Sequence, residues 1–170
     1  VGRYGEDAYS QGFRVVTTVV GADQQAAFEA VRRNVLDYDR RHGYRGAETY
    51  VDMNGIKSEQ DDGLEELLSD FEDINDLLPA IVLDATPTRI RAYLRGGEIV
   101  TLTGDALKFP ARMLEDKAPP NKRLRHGALV RLLKDDKGQW QIAQLPQVES
   151  AFVAASPIDG AIRALVGGFD

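Results

Sequence analysis

Short apolar stripes alternate with polar punctuation along this chain, and the spacing within each stripe predicts its element. GFRVVTTV is β-branched and bounded by Gly12, which predicts a strand over 13–19. Ala27, Val31, Val35 and Tyr38 then recur three or four apart and form one stripe of a helix over 23–41. Arg40, Arg41 and His42 suit the negative end of that helix, and Gly43 supplies its stop. Leu64, Leu67, Leu68, Phe71, Ile74, Leu77 and Leu78 keep a helical period through a second helix over 63–78. Its other face is Glu65, Glu66, Asp70, Glu72, Asp73 and Asp76, with Asp62 the expected N-cap and Pro79 the expected stop. Between the helices, Arg45 to Asp61 reads as a loop with one short strand around TYVDM.

From residue 79 the pattern changes to short strands. AIVLDA, TRIRAYL, EIVTLT, GALVRLLK and QWQIAQL are alternating or fully apolar. Arg95-Gly96-Gly97-Glu98 and Asp135-Asp136-Lys137-Gly138 are tight-hairpin signals, because glycine tolerates the positive φ that such turns demand. GDALKFPARM holds a helical turn, and the Pro-rich LEDKAPPNKRLRHG is a loop. Three strands, a helical interruption and two more strands is the order of a small closed Greek-key barrel, the OB-fold, whose closure removes exposed edges. Finally AFVAAS and AIRALVGG flank Pro157-Ile158-Asp159-Gly160, a second kind of hairpin whose last strand needs a sheet to pair with. The chain therefore reads as a piece of a longer one. The expected fold class is α+β: a five-stranded OB-like barrel with an acidic amphipathic helix, flanked by a strand–helix segment and a C-terminal β-hairpin.

At 170 residues the chain suffices for one or two small domains. Zero cysteines exclude thiol chemistry, thiolate metal sites and disulfides. No apolar run is long enough for a membrane-spanning helix. The net charge of −6 comes from one segment: residues 48–76 carry eleven acids against one lysine. A nucleic-acid binder more often shows a basic face, which sets that partner class aside.

Candidate chemistry is sparse. His42 and His126 lack any metal-ligand spacing. The carboxylates between Glu48 and Asp76 are too dense to single out an acid–base pair, and read as a solvated or docking face. No serine lies in GxSxG or is followed three residues later by lysine, and no phosphate-cradling GxxxxGK[ST] occurs. Catalytic, metal and cofactor-binding residues are thus none. Two recognition features remain. Lys117, Lys122, Arg123 and Arg125 form a basic loop able to meet an acidic partner, and Tyr93, Phe109 and Trp140 are aromatics that either stack on sugars or fill the core.

FRVVTTV and QQAAFEAVRRNVLDYDRRHGYRG, taken with SAFVAASPIDGAIRALVGGFD, resemble the bifunctional (class A) penicillin-binding proteins of Gram-negative bacteria. In that family a strand and helix like 13–41 open the transpeptidase domain, a hairpin like 151–168 continues it, and longer members insert an OB-like domain between them. WQIAQLPQVESAFV resembles the last strand of that insert running back into the transpeptidase. The resemblance implies residues 1–44 as linker and first strand–helix, 45–150 as the insert (acidic helix 63–78, barrel 79–150), and 151–170 as the continuing hairpin. It departs from the family where Val20-Gly21-Ala22 replaces an Asp-Pro pair, so either Asp23 caps the helix or the helix starts late.

The family's SxxK, SxN and KTG motifs are missing from this chain, so no chemistry is expected of it. The parent that the resemblance implies is a peptidoglycan glycosyltransferase and serine-type D,D-transpeptidase, periplasmic and anchored to the inner membrane. The implied role is a non-catalytic regulatory domain that docks an outer-membrane lipoprotein activator, through Glu65, Glu66, Asp70 and Asp73 or through Lys122, Arg123 and Arg125. Alternatives are a module binding peptidoglycan glycan strands, which needs exposed Tyr93, Phe109 or Trp140, and a passive spacer between the parent's catalytic domains. No cofactor, nucleic acid or membrane contact is expected. Pairing of 13–19 with the terminal hairpin would leave an apolar face, with weak self-association as its consequence.

Overall fold

The computed structural model describes residues 14–169. They form two compact units, one taking the described residues up to Arg33 with Glu149–Phe169, the other Asn34–Val148. Helix α1, Gly21–Arg41, contributes to both.

In the first unit, β7 (Ser150–Ala155) and β8 (Ile162–Gly168) make an antiparallel hairpin from Ser150↔Gly168 to Ala155↔Ile162. Its turn follows from composition: Gly160 sits at φ 72°, and Asp159 Oδ1 accepts the Ala161 N–H at 3.2 Å. Residues 14–20 are exposed and not a strand, contrary to their β-branched pattern, and position 13 lies outside the described residues. The edge of β8 is satisfied otherwise. Val20 N–H donates to the Arg163 carbonyl at 2.9 Å, and the Gln24 side chain both donates to and accepts from the Leu165 backbone, each at 2.9 Å. That early helical turn stands where a strand would have to run. Helix α1 accordingly begins at Gly21, earlier than expected, and Asp23 pairs with Arg163 at 2.7 Å inside the helix instead of capping it.

Of the α1 stripe, Ala27, Val31 and Val35 are buried. Tyr38 is 44% exposed and stacks on His42, ring centroids 4.2 Å apart. Gly43, at φ 90°, ends the helix where expected.

The second unit is built on one antiparallel sheet. Its strands are β1 (Thr49–Tyr50), β2 (Leu78–Thr86), β3 (Arg89–Leu94), β4 (Ile99–Leu102), β5 (Ala128–Lys134) and β6 (Trp140–Ala143). The order is β1-β5-β2-β3-β4, with β6 also on β5. A bulge between Val82 and Asp84 bends β2, so that its first part pairs with β5 and the rest carries on along β3. The sheet curls but does not close as a hydrogen-bonded barrel. Strands β4 and β6 are four residues each, and β4 runs straight into a 3-10 turn, Gly104–Leu107. The buried Ala106 and Leu107 of that turn join Val100, Leu102 and Ile142 in the core, so side chains fill the opening that a ladder would have closed.

Strand alternation divides the apolar residues between two cores. Val82, Ala92, Val130 and Leu132 face into the curl, whereas Ile81, Tyr93 and Leu129 face outward beneath Leu64 and Leu68 of helix α2, Gly63–Ser69. That helix is much shorter than the predicted 63–78. Arg95 donates to the carbonyls of Leu68 at 2.9 Å and Phe71 at 2.7 Å, which a continuing helix would have used four residues on. Asn75 then takes φ 55°, Ile74 pairs with Leu77, and Leu78 and Pro79 belong to β2. Asp62 holds the expected N-cap position, but with helical φ and ψ and no side-chain bond to the helix. Asp61 instead accepts the Gly63 and Lys57 N–H groups, each at 3.0 Å, and these bonds hold its carboxyl below the usual range.

Two outcomes follow. Leu68→Ala removes a side chain with no solvent exposure and is expected to cost about 2–5 kcal/mol, read as a lower urea midpoint. The stabilisation from Asp61 is present above the ordinary carboxylate range and lost as pH falls through the depressed folded value. Asp61→Asn should therefore lose less stability than the wild type between about pH 5 and pH 2.

Candidate docking surfaces

The acidic residues of α2 have divided roles. Glu65 Oε2 accepts from the Tyr93 hydroxyl at 3.1 Å and from Gly96 N–H at 3.0 Å, which fixes the helix to the β3–β4 hairpin. Gly96 and Gly97 stand at φ 84° and 85°, the geometry that a two-residue hairpin turn requires. Burial first, and the bond to Glu65 second, push the Tyr93 phenol above its ordinary range, so it stays a donor. Asp73 is engaged by Arg95 at 3.1 Å. Glu66 and Asp70 are exposed. Beside them a shallow groove of about 470 Å³ is lined by Glu65, Ser69, Phe71, Glu72, Asp73 and Arg95. Acidic charge thus sits on a helix anchored from below, next to a half-buried aromatic.

The basic loop is different, because two of its four cations are ion-paired locally. Arg123 pairs with Asp116 at 2.5 Å, Lys117 with Glu115 at 3.0 Å, and Arg125 lies 4.7 Å over the Tyr50 ring. The Tyr50 hydroxyl donates to the Arg123 carbonyl at 2.6 Å and pins the loop to β1. Lys122 is exposed and belongs to another feature, a cleft of about 430 Å³ where the segments 44–48 and 143–147 meet the edge of β5. Gly46, at φ 103°, lies so close to the Lys122 backbone that any Cβ there would collide with it. Lys122 thus lines the cleft, whereas Arg123 and Lys117 are ion-paired within the loop.

In the wall of the cleft stands Arg131, 4% exposed. Its Nε and Nη2 donate to Glu48 at 2.8 and 3.0 Å, and its Nη1 donates to the Glu72 carbonyl at 2.6 Å. Arg91 makes a similar fork with Glu59, at 2.5 and 2.6 Å, which holds Glu59 below the carboxylate range and ties the 52–62 loop to β3.

The three aromatics do not share one core. Tyr93 is buried in the outer core, while Phe109 and Trp140 pack against the inner one. Phe109 meets Tyr44 edge-on at 5.2 Å, and Trp140 lies under Lys134 and donates to Glu98 at 3.2 Å. Each histidine ring shares a hydrogen bond with a backbone carbonyl through Nδ1, His42 with Tyr38 and His126 with Leu83, both at 2.8 Å. Among the described residues no group of three His, Cys, Asp or Glu side chains is placed to hold a metal.

Arg95 and Arg131 were not singled out from the sequence. The one signal was Arg131 as the charge in the middle of the apolar strand GALVRLLK. Glu48→Ala leaves that guanidinium buried without its counter-charge, and is expected to cost about 2–3 kcal/mol in urea denaturation; the figure is reduced because Glu48 is partly exposed. Arg131→Met together with Glu48→Ala should recover most of that loss.

The profile of the penicillin-binding protein OB-like domain matches residues 44–148. Penicillin-binding protein 1A of Neisseria meningitidis is 41% identical over 170 residues, 99% of this chain and 21% of that protein. Its namesake in Escherichia coli K12 is 38% identical over 174 residues, 99% of this chain and 20% of that protein. The crystal structure of Penicillin-Binding Protein 1A from Haemophilus influenzae matches with a TM-score of 0.77 at 34% identity, covering 99% of this chain and 24% of that one. The chain spans about a fifth of the length of the curated relatives it matches. The matched residues are the curled sheet, helix α2 and the loops that join them, and the chain belongs to the penicillin-binding protein OB-like domain family.

Proposed function

We propose that this chain is a non-catalytic docking domain of a bifunctional peptidoglycan synthase, and that the outer face of α2 receives an outer-membrane lipoprotein activator of cross-linking. The parent would act in the periplasm from an inner-membrane anchor; among the described residues no helix is long and apolar enough to cross a membrane. The observation that carries the reading is the difference between the two charged surfaces. In the basic loop Lys117 and Arg123 are ion-paired with its own Glu115 and Asp116 and Arg125 lies over Tyr50, whereas Glu66 on the anchored α2 and Asp70 just past its end remain exposed beside a groove. Such a face selects a partner with basic side chains and speeds its approach. A glycan-stacking role is less well supported, because Tyr93 is buried in the outer core while Phe109 and Trp140 pack against the inner one.

The test is a titration of isotope-labelled chain with the purified lipoprotein of the parent organism, followed by amide shifts. Shifts are expected over 63–73 and at Arg95, and Glu66→Lys with Asp70→Lys should weaken binding at least about tenfold, or roughly 1.4 kcal/mol. Shifts confined to 117–125, or none at high partner concentration, would overturn the reading and leave a passive spacer.

A further inference from the structure

We propose that the Asp39 carboxylate is a latch that makes the two passes of chain at the base of the OB-like unit open and close as one. Asp39 lies in the last turn of α1 and is 4% exposed. Its Oδ1 accepts from Arg45 Nη1 at 2.7 Å and from the Gln147 N–H at 3.3 Å, and its Oδ2 accepts from Gln144 Nε2 at 2.7 Å. The ring closes through the other two side chains. Gln144 Nε2 also donates to the Gly43 carbonyl at 3.0 Å, its Oε1 accepts the Arg45 N–H at 2.9 Å, and Arg45 Nη2 donates to the Leu145 carbonyl. All of these groups belong to the unit Asn34–Val148.

The outgoing pass, 43–48, and the returning pass, 144–148, are about a hundred residues apart and share no strand. Strand β6 ends at Ala143 and β1 begins at Thr49, and among the described residues no backbone–backbone hydrogen bond joins the two passes. The hydrogen bonds that join them run through the side chains of Arg45 and Gln144, and both of these side chains also bond the one buried carboxylate. A buried carboxylate is tolerated only with its donors in place, so breaking one arm exposes it to water and weakens the others. The passes should therefore open in one local event, at a free energy below that of melting the sheet. Opening would also part the walls of the adjoining cleft, which Arg45, Gln144 and Gln147 help to line.

Amide hydrogen exchange in two reciprocal variants tests this. Asp39→Ala removes the acceptor of the Gln147 N–H directly but leaves the Arg45 N–H bond to Gln144 untouched. Gln144→Ala does the reverse. A latch predicts that each variant speeds exchange at least tenfold at the amide it does not touch, Arg45 in the first and Gln147 in the second. Amides of Ile81, Leu129 and Val130 in the sheet should change less than twofold. Acceleration only at the directly bonded amide, or no acceleration, would overturn the proposal. A uniform rise that includes the sheet would overturn it too, by showing global destabilisation. If Asp39→Ala fails to fold, Asp39→Asn keeps one oxygen for Arg45 but turns an N–H₂ group towards Gln144, and should give an intermediate acceleration at Arg45.

Discussion

Strand β5 is the constraint on which the OB-like unit depends. One edge pairs with β2, and the other takes β1 at Leu129 and β6 from Arg131 onward, so a single seven-residue strand sets three registers. Its alternation then sorts the unit. Ala128, Val130 and Leu132 face the inner core, Leu129 supports α2, and Arg131 reaches Glu48 and the carbonyl of Glu72. A slip of one residue would carry Arg131 into a dry core and Leu132 to the outer face, a penalty large enough to exclude it. The arginine in the middle of an apolar strand thus acts as a register mark as well as an ion-pair partner.

Most strands were legible because alternation and turn chemistry are local. The Gly96-Gly97 turn, the Gly138 hairpin and the Asp159-Gly160 turn all rest on residues adjacent in sequence. What was not legible came from groups far apart. Helix α2 stops early because Arg95, on a hairpin more than twenty residues later, takes carbonyls that its next turn needed. The apolar period runs on past Ser69 because Phe71 still packs against the outer core after the backbone has left the helix. Residues 14–20 keep a β-like composition but lose the edge of β8 to a side-chain amide from Gln24. Barrel closure depended on whether β4 and β6 met, and the 3-10 turn between β4 and β5 decided that. Glu66 and Asp70 were visible as an acidic face, but only the structure separates them from Glu65 and Asp73, which are bound to neighbours.

Three arginines tie other segments to the sheet and its hairpin: Arg131 holds Glu48, Arg91 holds Glu59, and Arg95 holds Asp73 and two carbonyls. Glu66 on α2 and Asp70 just past its end are by contrast exposed. A surface organised in this way is rigid beneath and charged above, the arrangement that favours recognition through long-range attraction with little ordering cost.

The most direct measurement is site-specific photo-crosslinking in the full-length parent, with the photoreactive residue at position 66 or at position 117. If the outer face of α2 is the docking surface, the lipoprotein will be captured from position 66 and not from position 117. Capture from 117 alone, or from neither while activation persists, would contradict the account.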